Sequence, residues 1–522
     1  MYKLLLVAIL AFMPAAKAAF DVVEASIPEL QKAMASGKTT SKALTQEYLA
    51  RIKRIDQAGP KLNSVIAVNP DALAIAEGLD KERKAGKLRG PLHGIPILVK
   101  DNIATGDKMS TTAGSLALKG VRARQDAFVV ERLRDAGAVI VGKANLSEWA
   151  NIRSTRSTSG WSSLGGLTRN PYALDRNTSG SSSGTGAAIA ASLAAAGVGT
   201  ETDGSIISPA NANGLVGIKP TVGLVSRSGI IPISPSQDTA GPMARTVTDA
   251  AILLAAMAGT DARDPATGDA SARLADYAKS LDRSALKGAR IGVVRNQFGG
   301  RNDLVSAEVE KALEVLRKEG AILVDLPELP NANRLGNNEL EVLLTELKAS
   351  LPLYLAEYAP HAKVKNLADV IAFNEANAQK AMPYFGQEFF VRAEAKPGLD
   401  GKEYRDALAN NQRMARSEGI DKVLADHKLD ALVAPSGSPA WLTDFIRGDF
   451  SGGGFSQPAA VAGYPHVTVP AGFVHGLPCN LSFVGAAWSE SRLIALAYAF
   501  EQATKHRRAP RYPKSVNVPA GG

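Results

Sequence analysis

The stretch NTSGSSSGTGAAIAASLAAAGVGTETDGSIISPA, Asn177 to Ala210, sets two serine-glycine clusters at the ends of an alanine-rich run. A flexible spacer would be polar throughout, whereas Ala187 to Val198 is a strong helix former bounded by glycines. A phosphate cradle would also place glycines at a helix N-terminus, where free N–H groups collect negative charge. Yet GSSSGTG lacks the Gly-Lys-Ser/Thr ending and fits no dinucleotide fingerprint following a strand. Serine catalysis is the third reading, and it needs a nucleophile on a tight turn, a base, and converging N–H donors for an oxyanion.

Two geometries compete for that role. Gly180 to Gly184 satisfies G-x-S-x-G, which would set Ser182 on the nucleophile elbow of an α/β-hydrolase, with a later Asp and His466 or His475 completing a triad. That elbow demands a strand just before the turn, and LTRNPYALDRNT is polar, contains Pro171 and has no β-type run. The other geometry uses both clusters: a helix from about Gly186 leaves the first serine turn, and GVGTETDGSIISPA returns a second turn beside it.

Working outward, strand-like GIPILVK, helix-like DAFVVERLRDAG and strand-like AVIVGK alternate. The alternation returns in RIGVV, SAEVEKALEVLRKEG and AILVDL. This predicts an α/β fold with a central twisted sheet, mixed but mostly parallel, covered by helices on both faces. Residues 28 to 55 predict two helices parted by Gly37, with Thr39 or Thr40 capping the second. At 522 residues and 45% apolar composition, the chain has material for a large core. No long linker or repeat interrupts it, so one domain is expected over 19–522, with a core at about 90–260 and a largely helical elaboration at about 300–430.

The first residues carry Lys3, an apolar run from Leu4 to Met13 and the small-x-small site Ala16-Lys17-Ala18, the pattern of a secretory signal peptide over residues 1–18. That run is too short to span a bilayer, so a periplasmic or secreted protein without stable membrane insertion is expected. Its removal takes two of the nine net positive charges, and the remaining Lys and Arg are mixed with acids rather than arrayed as a nucleic-acid stripe. Cys479 is the lone cysteine, which excludes an internal disulfide and cysteine-rich metal sites. The six histidines lack metal-ligand spacing, so no metal is expected.

The run from Gly180 through GIIPIS, followed by QDTAGPMARTVTDAA, resembles the signature region of the amidase signature family of serine hydrolases. The likeness extends upstream to LHGIPILVKDNI, through KANLSEWAN, and downstream to AAVAGYPHVTVPAG and LPCNLSFVGAAWSESRLIALAYAFEQAT. It leans toward the bacterial peptide amidase branch, whose members release C-terminal amides from peptides. The resemblance implies an amidase signature fold and a Ser-Ser-Lys triad. The nucleophile falls on Ser205, the bridging serine, which in the family follows a cis peptide bond, on Ser181, and the lysine on Lys100. Backbone N–H groups of Thr202, Asp203, Gly204 and Ser205 then resemble the oxyanion loop. It further implies no cofactor, a small-molecule or peptide amide substrate, and hydrolysis to carboxylate and ammonia through an acyl-enzyme. A monomer or homodimer is expected.

Residues alone do not single out Lys100, because Lys143 in VIVGKAN and Lys219 in VGIKPT also close apolar stretches, and any such lysine ordinarily forms an ion pair at a sheet rim. The choice does make physical sense, since free lysine has a pKa of ~10.4 and burial lowers it. Asp203 stands where the family commonly has a glycine and Ile207 where it commonly has Arg, departures that weigh against a role in tRNA-dependent amidotransfer. Asp203 is expected to brace the turn through backbone hydrogen bonds or to hold a neighbouring amide or hydroxyl. Ser182 and Ser183 are expected to shape the turn and Thr185 to cap the helix. NLSEW and RSTRS are candidates for the cleft wall, with Trp149 in ordinary packing. The rival activities are esterase and aryl-acylamidase, and the rival class is a binding protein that keeps the fold without turnover.

Overall fold

Strand Pro96–Lys100 is buried along its length, and its side chains alternate between two cores: Ile97 and Val99 join one cluster and Leu98 another. Strand Val139–Ala144 divides in the same way, with Ile140 on the first side and Val139 and Val141 on the second. A strand apolar on both faces has helices on both faces, as the sequence alternation predicts. These features come from a computed structural model that describes residues 20–298, 303–450 and 452–516. The signal peptide expected over residues 1–18 lies outside the described residues.

Among the described residues, an 11-stranded sheet runs in the order Val65–Val68, Val139–Ala144, Pro96–Lys100, Ala196–Glu201, Thr239–Ala244, Val216–Lys219, His466–Val474, Leu477–Val484, Ala431–Pro435, Arg290–Val294, Ile322–Leu326. Parallel pairs join Val139–Ala144, Pro96–Lys100 and Ala196–Glu201 on one flank. They also join Ala431–Pro435, Arg290–Val294 and Ile322–Leu326 on the other. Antiparallel pairs fill the middle. The mixed sheet is therefore present, with parallel pairing gathered in two blocks rather than spread across it. Short buried runs do not distinguish the two pairings in a sequence.

Helices Ile27–Ala35 and Ser41–Arg51 form where the periodicity puts them, and the Thr40 hydroxyl accepts the Ala43 N–H at 3.1 Å to cap the second. The alanine-rich run departs from expectation. Its helix covers only Ser183–Ala190, and Ala196–Glu201 is a strand. That segment is paired on both edges and buried throughout, so ladder hydrogen bonds and packing override alanine's helix preference. Between 303 and 427 the chain is mostly helical, including Asp303–Lys318, Gly336–Tyr358 and Lys402–Ala415. No helix among the described residues is long and apolar enough to cross a membrane.

Gly184 shows how tightly the Ser183–Ala190 helix sits. A Cβ there would run into the carbonyl oxygens of Ser64 and Asn145. Both are main-chain atoms that cannot swing aside, so Gly184→Ala is expected to cost about 2 kcal/mol of unfolding free energy. The shift of the urea denaturation midpoint measures it, and an unchanged midpoint would mean the helix has room to retreat.

Candidate active site

Lys100 ends its strand one residue beyond Val99, so its side chain lies on the Leu98 face, the side on which Ala188 and Ile189 of the Ser183–Ala190 helix are packed. The lysine is fully buried, and its Nζ lies 2.7 Å from Ser181 Oγ, 2.9 Å from Thr200 Oγ1 and 3.2 Å from the Thr200 carbonyl. Asn102 Nδ2 donates to the same Thr200 hydroxyl at 3.0 Å. No carboxylate among the described residues stands within 4.0 Å of Lys100 Nζ to hold it charged. Burial therefore lowers its pKa to about 7, against the weaker pull of Glu201 and Asp238.

The other two buried lysines have different surroundings. Lys143 lies 3.7 Å from Asp101 Oδ1 and donates to Thr111 Oγ1 at 2.9 Å and to the Ile103 carbonyl, an ion pair at the sheet rim. Lys219 donates to the Pro220 carbonyl at 3.0 Å, and burial, opposed by Glu201, sets it at about 8. Of the three, Lys100 is the one that meets a serine hydroxyl.

Ser181 follows a cis Gly180–Ser181 peptide bond. The next residue ties the two serine turns together, because the Ser182 N–H donates to the Ser205 carbonyl at 3.1 Å. The Ser182 hydroxyl is spent on strand Ala196–Glu201: it donates to the Thr200 carbonyl at 3.1 Å and accepts the Thr200 N–H at 3.2 Å. This overturns the nucleophile elbow at Ser182. No strand leads into its turn. His466 Nε2 contacts Ser482 Oγ at 2.6 Å, where burial pushes its pKa down to about 3. His475 sits in the turn between His466–Val474 and Leu477–Val484. Thr185 also departs from expectation: it lies inside the helix, and its hydroxyl reaches the Val198 carbonyl at 3.5 Å rather than capping.

The second turn runs from Thr202 to Ser205, between strand Ala196–Glu201 and helix Ile207–Ala212. Gly204 has φ +72°, and a Cβ there would lie 2.9 Å from Ser456 Oγ, so the position takes no side chain without strain. Glu201 Oε2 accepts the Ile206 and Ile207 N–H groups at 2.7 and 2.9 Å, with a weaker contribution from the Gly204 N–H. A carboxylate at the helix's positive end fixes the direction in which the turn leaves the strand.

The turn is also held from the side. Thr202 Oγ1 donates to Asp238 Oδ1 at 2.5 Å, and Gln237 Nε2 donates to the Thr202 carbonyl at 3.2 Å. Asp203 is buried beside Ser456, whose hydroxyl works weakly against the rise in its pKa. Its Oδ1 is sealed from solvent with no partner. Burial and the nearby Glu339 carboxylate push its pKa well up. Thr200, Asn102, Glu201, Gln237, Asp238, Glu339 and Ser456 are site residues that sequence reasoning missed. Most lie inside stretches that resemble the family, but their types carry no chemistry of their own in a sequence. Trp149 is buried and packs edge-on to Phe390, and Arg153 is buried against Glu148.

A profile of the amidase family matches residues 43–494. The chain belongs to the amidase family. This amidase superimposes on native peptide amidase from Stenotrophomonas maltophilia with a TM-score of 0.88 at 51% identity, covering 94% of this chain and 99% of that one. A probable amidase of Arabidopsis thaliana is 43% identical over 503 residues, 94% of this chain and 92% of the plant protein. A glutamyl-tRNA(Gln) amidotransferase chain of Halorhodospira halophila is 36% identical over 510 residues, 93% of this chain and 98% of that one. As an amidase, the chain is a hydrolase of C–N bonds in linear amides.

The buried lysines separate in a stability measurement at pH 7.5. Lys143→Met leaves the Asp101 carboxylate buried and unpaired, and is expected to lower unfolding free energy by about 3 kcal/mol. Lys100→Met strands only neutral hydroxyl and carbonyl groups, and about 1 kcal/mol is expected. Equal losses in denaturant titrations would contradict the contrast.

Proposed function

We propose that this amidase is exported and hydrolyses linear carboxamides, C-terminal peptide amides among them, to carboxylate and ammonia. The proposed catalytic groups are Ser205, Ser181 and Lys100. The observation that carries this reading is the 2.7 Å contact between Ser181 Oγ and a buried lysine amine that has no carboxylate partner among the described residues. The bond from the Ser182 N–H to the Ser205 carbonyl, which joins the two turns, adds support.

An amide is a poor electrophile with a poor leaving group, so the catalyst must activate a hydroxyl, stabilise an oxyanion and protonate the departing nitrogen. In the proposed relay, neutral Lys100 takes a proton from Ser181, Ser181 takes one from Ser205, and Ser205 Oγ attacks the carbonyl carbon. The tetrahedral oxyanion is received by backbone N–H groups of the Thr202–Ser205 turn. The relay then runs backward, the nitrogen gains the proton, the C–N bond breaks, and ammonia leaves an acyl-Ser205 ester. Water activated by the same relay cleaves that ester. Thr200 and Asn102 hold the lysine amine in line, so its lone pair faces Ser181 when it is uncharged.

The preference for peptide amides rests on likeness to the Stenotrophomonas enzyme, and Asp203 and Ile207 weigh against the amidotransferase role. Export rests on Lys3, the apolar run and the Ala16-Lys17-Ala18 site. Ammonia release from an amidated peptide, set against hydrolysis of a nitroanilide and a simple ester, tests the substrate class. A dominant ester activity would replace amidase by esterase as its working chemistry.

Three outcomes test the catalytic assignment. Because the neutral amine is the active form, kcat/KM is expected to rise with pH through about 7 and then level off, following the Lys100 titration. A flat profile from pH 5.5 to 8.5 would remove lysine from the base role. Ser205→Ala is expected to lose several orders of magnitude in kcat. In intact-mass measurements a fluorophosphonate is expected to add once to the wild type and to Ser182→Ala but not to Ser205→Ala. The reverse pattern would move the nucleophile to Ser182.

A further inference from the structure

Helix Gly336–Tyr358 carries two buried carboxylates, Glu339 and Glu346, seven residues apart and therefore on one face. A carboxylate in such a position needs donors, and both find them toward the Thr202–Ser205 turn. Glu346 grips the Ile233–Asp238 loop: Oε2 accepts the Ser234 hydroxyl at 2.6 Å and the Ser236 N–H at 2.9 Å. Glu339 Oε1 accepts Gln237 Nε2 at 2.8 Å, and its Oε2 accepts Gln457 Nε2 at 2.7 Å. The same Gln237 nitrogen donates to the Thr202 carbonyl.

That last contact has a stereochemical consequence. The Thr202 carbonyl and the Asp203 N–H belong to one rigid peptide unit and point in opposite directions when it is trans. Holding the carbonyl therefore aims the N–H. We infer that Glu339, acting through Gln237, is a positioning residue that sets the aim of the Asp203 N–H as an oxyanion donor, with Glu346 bracing the loop that carries Gln237. The inference rests on the Ser205 mechanism proposed above and adds to it a remote helix that tunes transition-state stabilisation without touching substrate.

A donor that stabilises only the transition state moves kcat and leaves substrate binding alone. Glu339→Gln keeps size and one acceptor oxygen but loses the second, and Gln237→Leu cuts the link while leaving the helix intact. Each is expected to lower kcat for an amidated peptide about tenfold or more with KM within about twofold. A peptide aldehyde, which adds Ser205 Oγ to form a hemiacetal with its oxygen in the oxyanion position, is expected to bind both variants more weakly by the same factor. The corresponding peptide alcohol is expected to bind unchanged. In the double variant the two effects on kcat should combine to less than their sum, because the Glu339 route through Gln237 is already cut. Wild-type kcat in Gln237→Leu, a loss confined to KM, or full additivity in the double variant would overturn the inference. If Glu339→Gln does not fold, Gln237→Leu alone decides it. Activity or labelling that persists in Ser205→Ala would instead sink the underlying mechanism, so the two failures are distinguishable.

Discussion

A lysine amine taken wholly out of water without a counter-charge is the constraint around which the site is organised. Hydration is the main stabiliser of an ammonium group, and removing it favours the neutral amine. The fold achieves this by ending a fully buried strand on Lys100 and surrounding Nζ with oxygen atoms of Ser181 and Thr200, which accept or share a hydrogen without demanding a positive charge. Lys143 shows the alternative on the next strand, where Asp101 pairs with the lysine. The difference between the two is a choice of neighbour rather than of depth.

Thr200 has a second office. Its side chain and carbonyl contact Lys100, and its backbone N–H and carbonyl engage the Ser182 hydroxyl, so one strand residue sets the distance between lysine and serine turn. One residue further along, Glu201 turns its carboxylate onto the start of the next helix and fixes how the chain leaves for Ser205. Strand Ala196–Glu201 is thus the ruler of the site, buried on both faces and paired on both edges.

Much of this was legible in the sequence, for unequal reasons. The alternation of apolar runs marks the flanking strands and helices, and the two serine-glycine turns mark themselves. The ruler strand does not, because Ala196 to Glu201 contains alanine and glycines, and only pairing with Pro96–Lys100 and Thr239–Ala244 makes it extended. The selection of Lys100 over Lys143 and Lys219 came from likeness to a family, since burial, apolar approach and strand-end position are common to all three. Gln237 lies inside the quoted QDTAGP run but carries no chemistry of its own there, whereas Glu339 and Ser456 were invisible because each lies far along the chain from the turn it supports, and no periodicity joins such positions. Thr185 looked like a cap because caps are read from local spacing, whereas the helix had already begun at Ser183.

The antiparallel centre of the sheet bears on how such an enzyme comes into being. Lys100, Ser181 and Ser205 are all made in the first half of the chain, yet strand Val216–Lys219 finds its outer partner only when His466–Val474 has been synthesised. Ser456, which lies against Gly204 of the second turn, and Gln457, which donates to Glu339, arrive as late. Long-range pairings of this kind are slow to close and come after local structure. A nascent chain therefore carries the Lys100, Ser181 and Ser205 turns on a half-sheet whose strand Val216–Lys219 is an open edge until its last strands arrive.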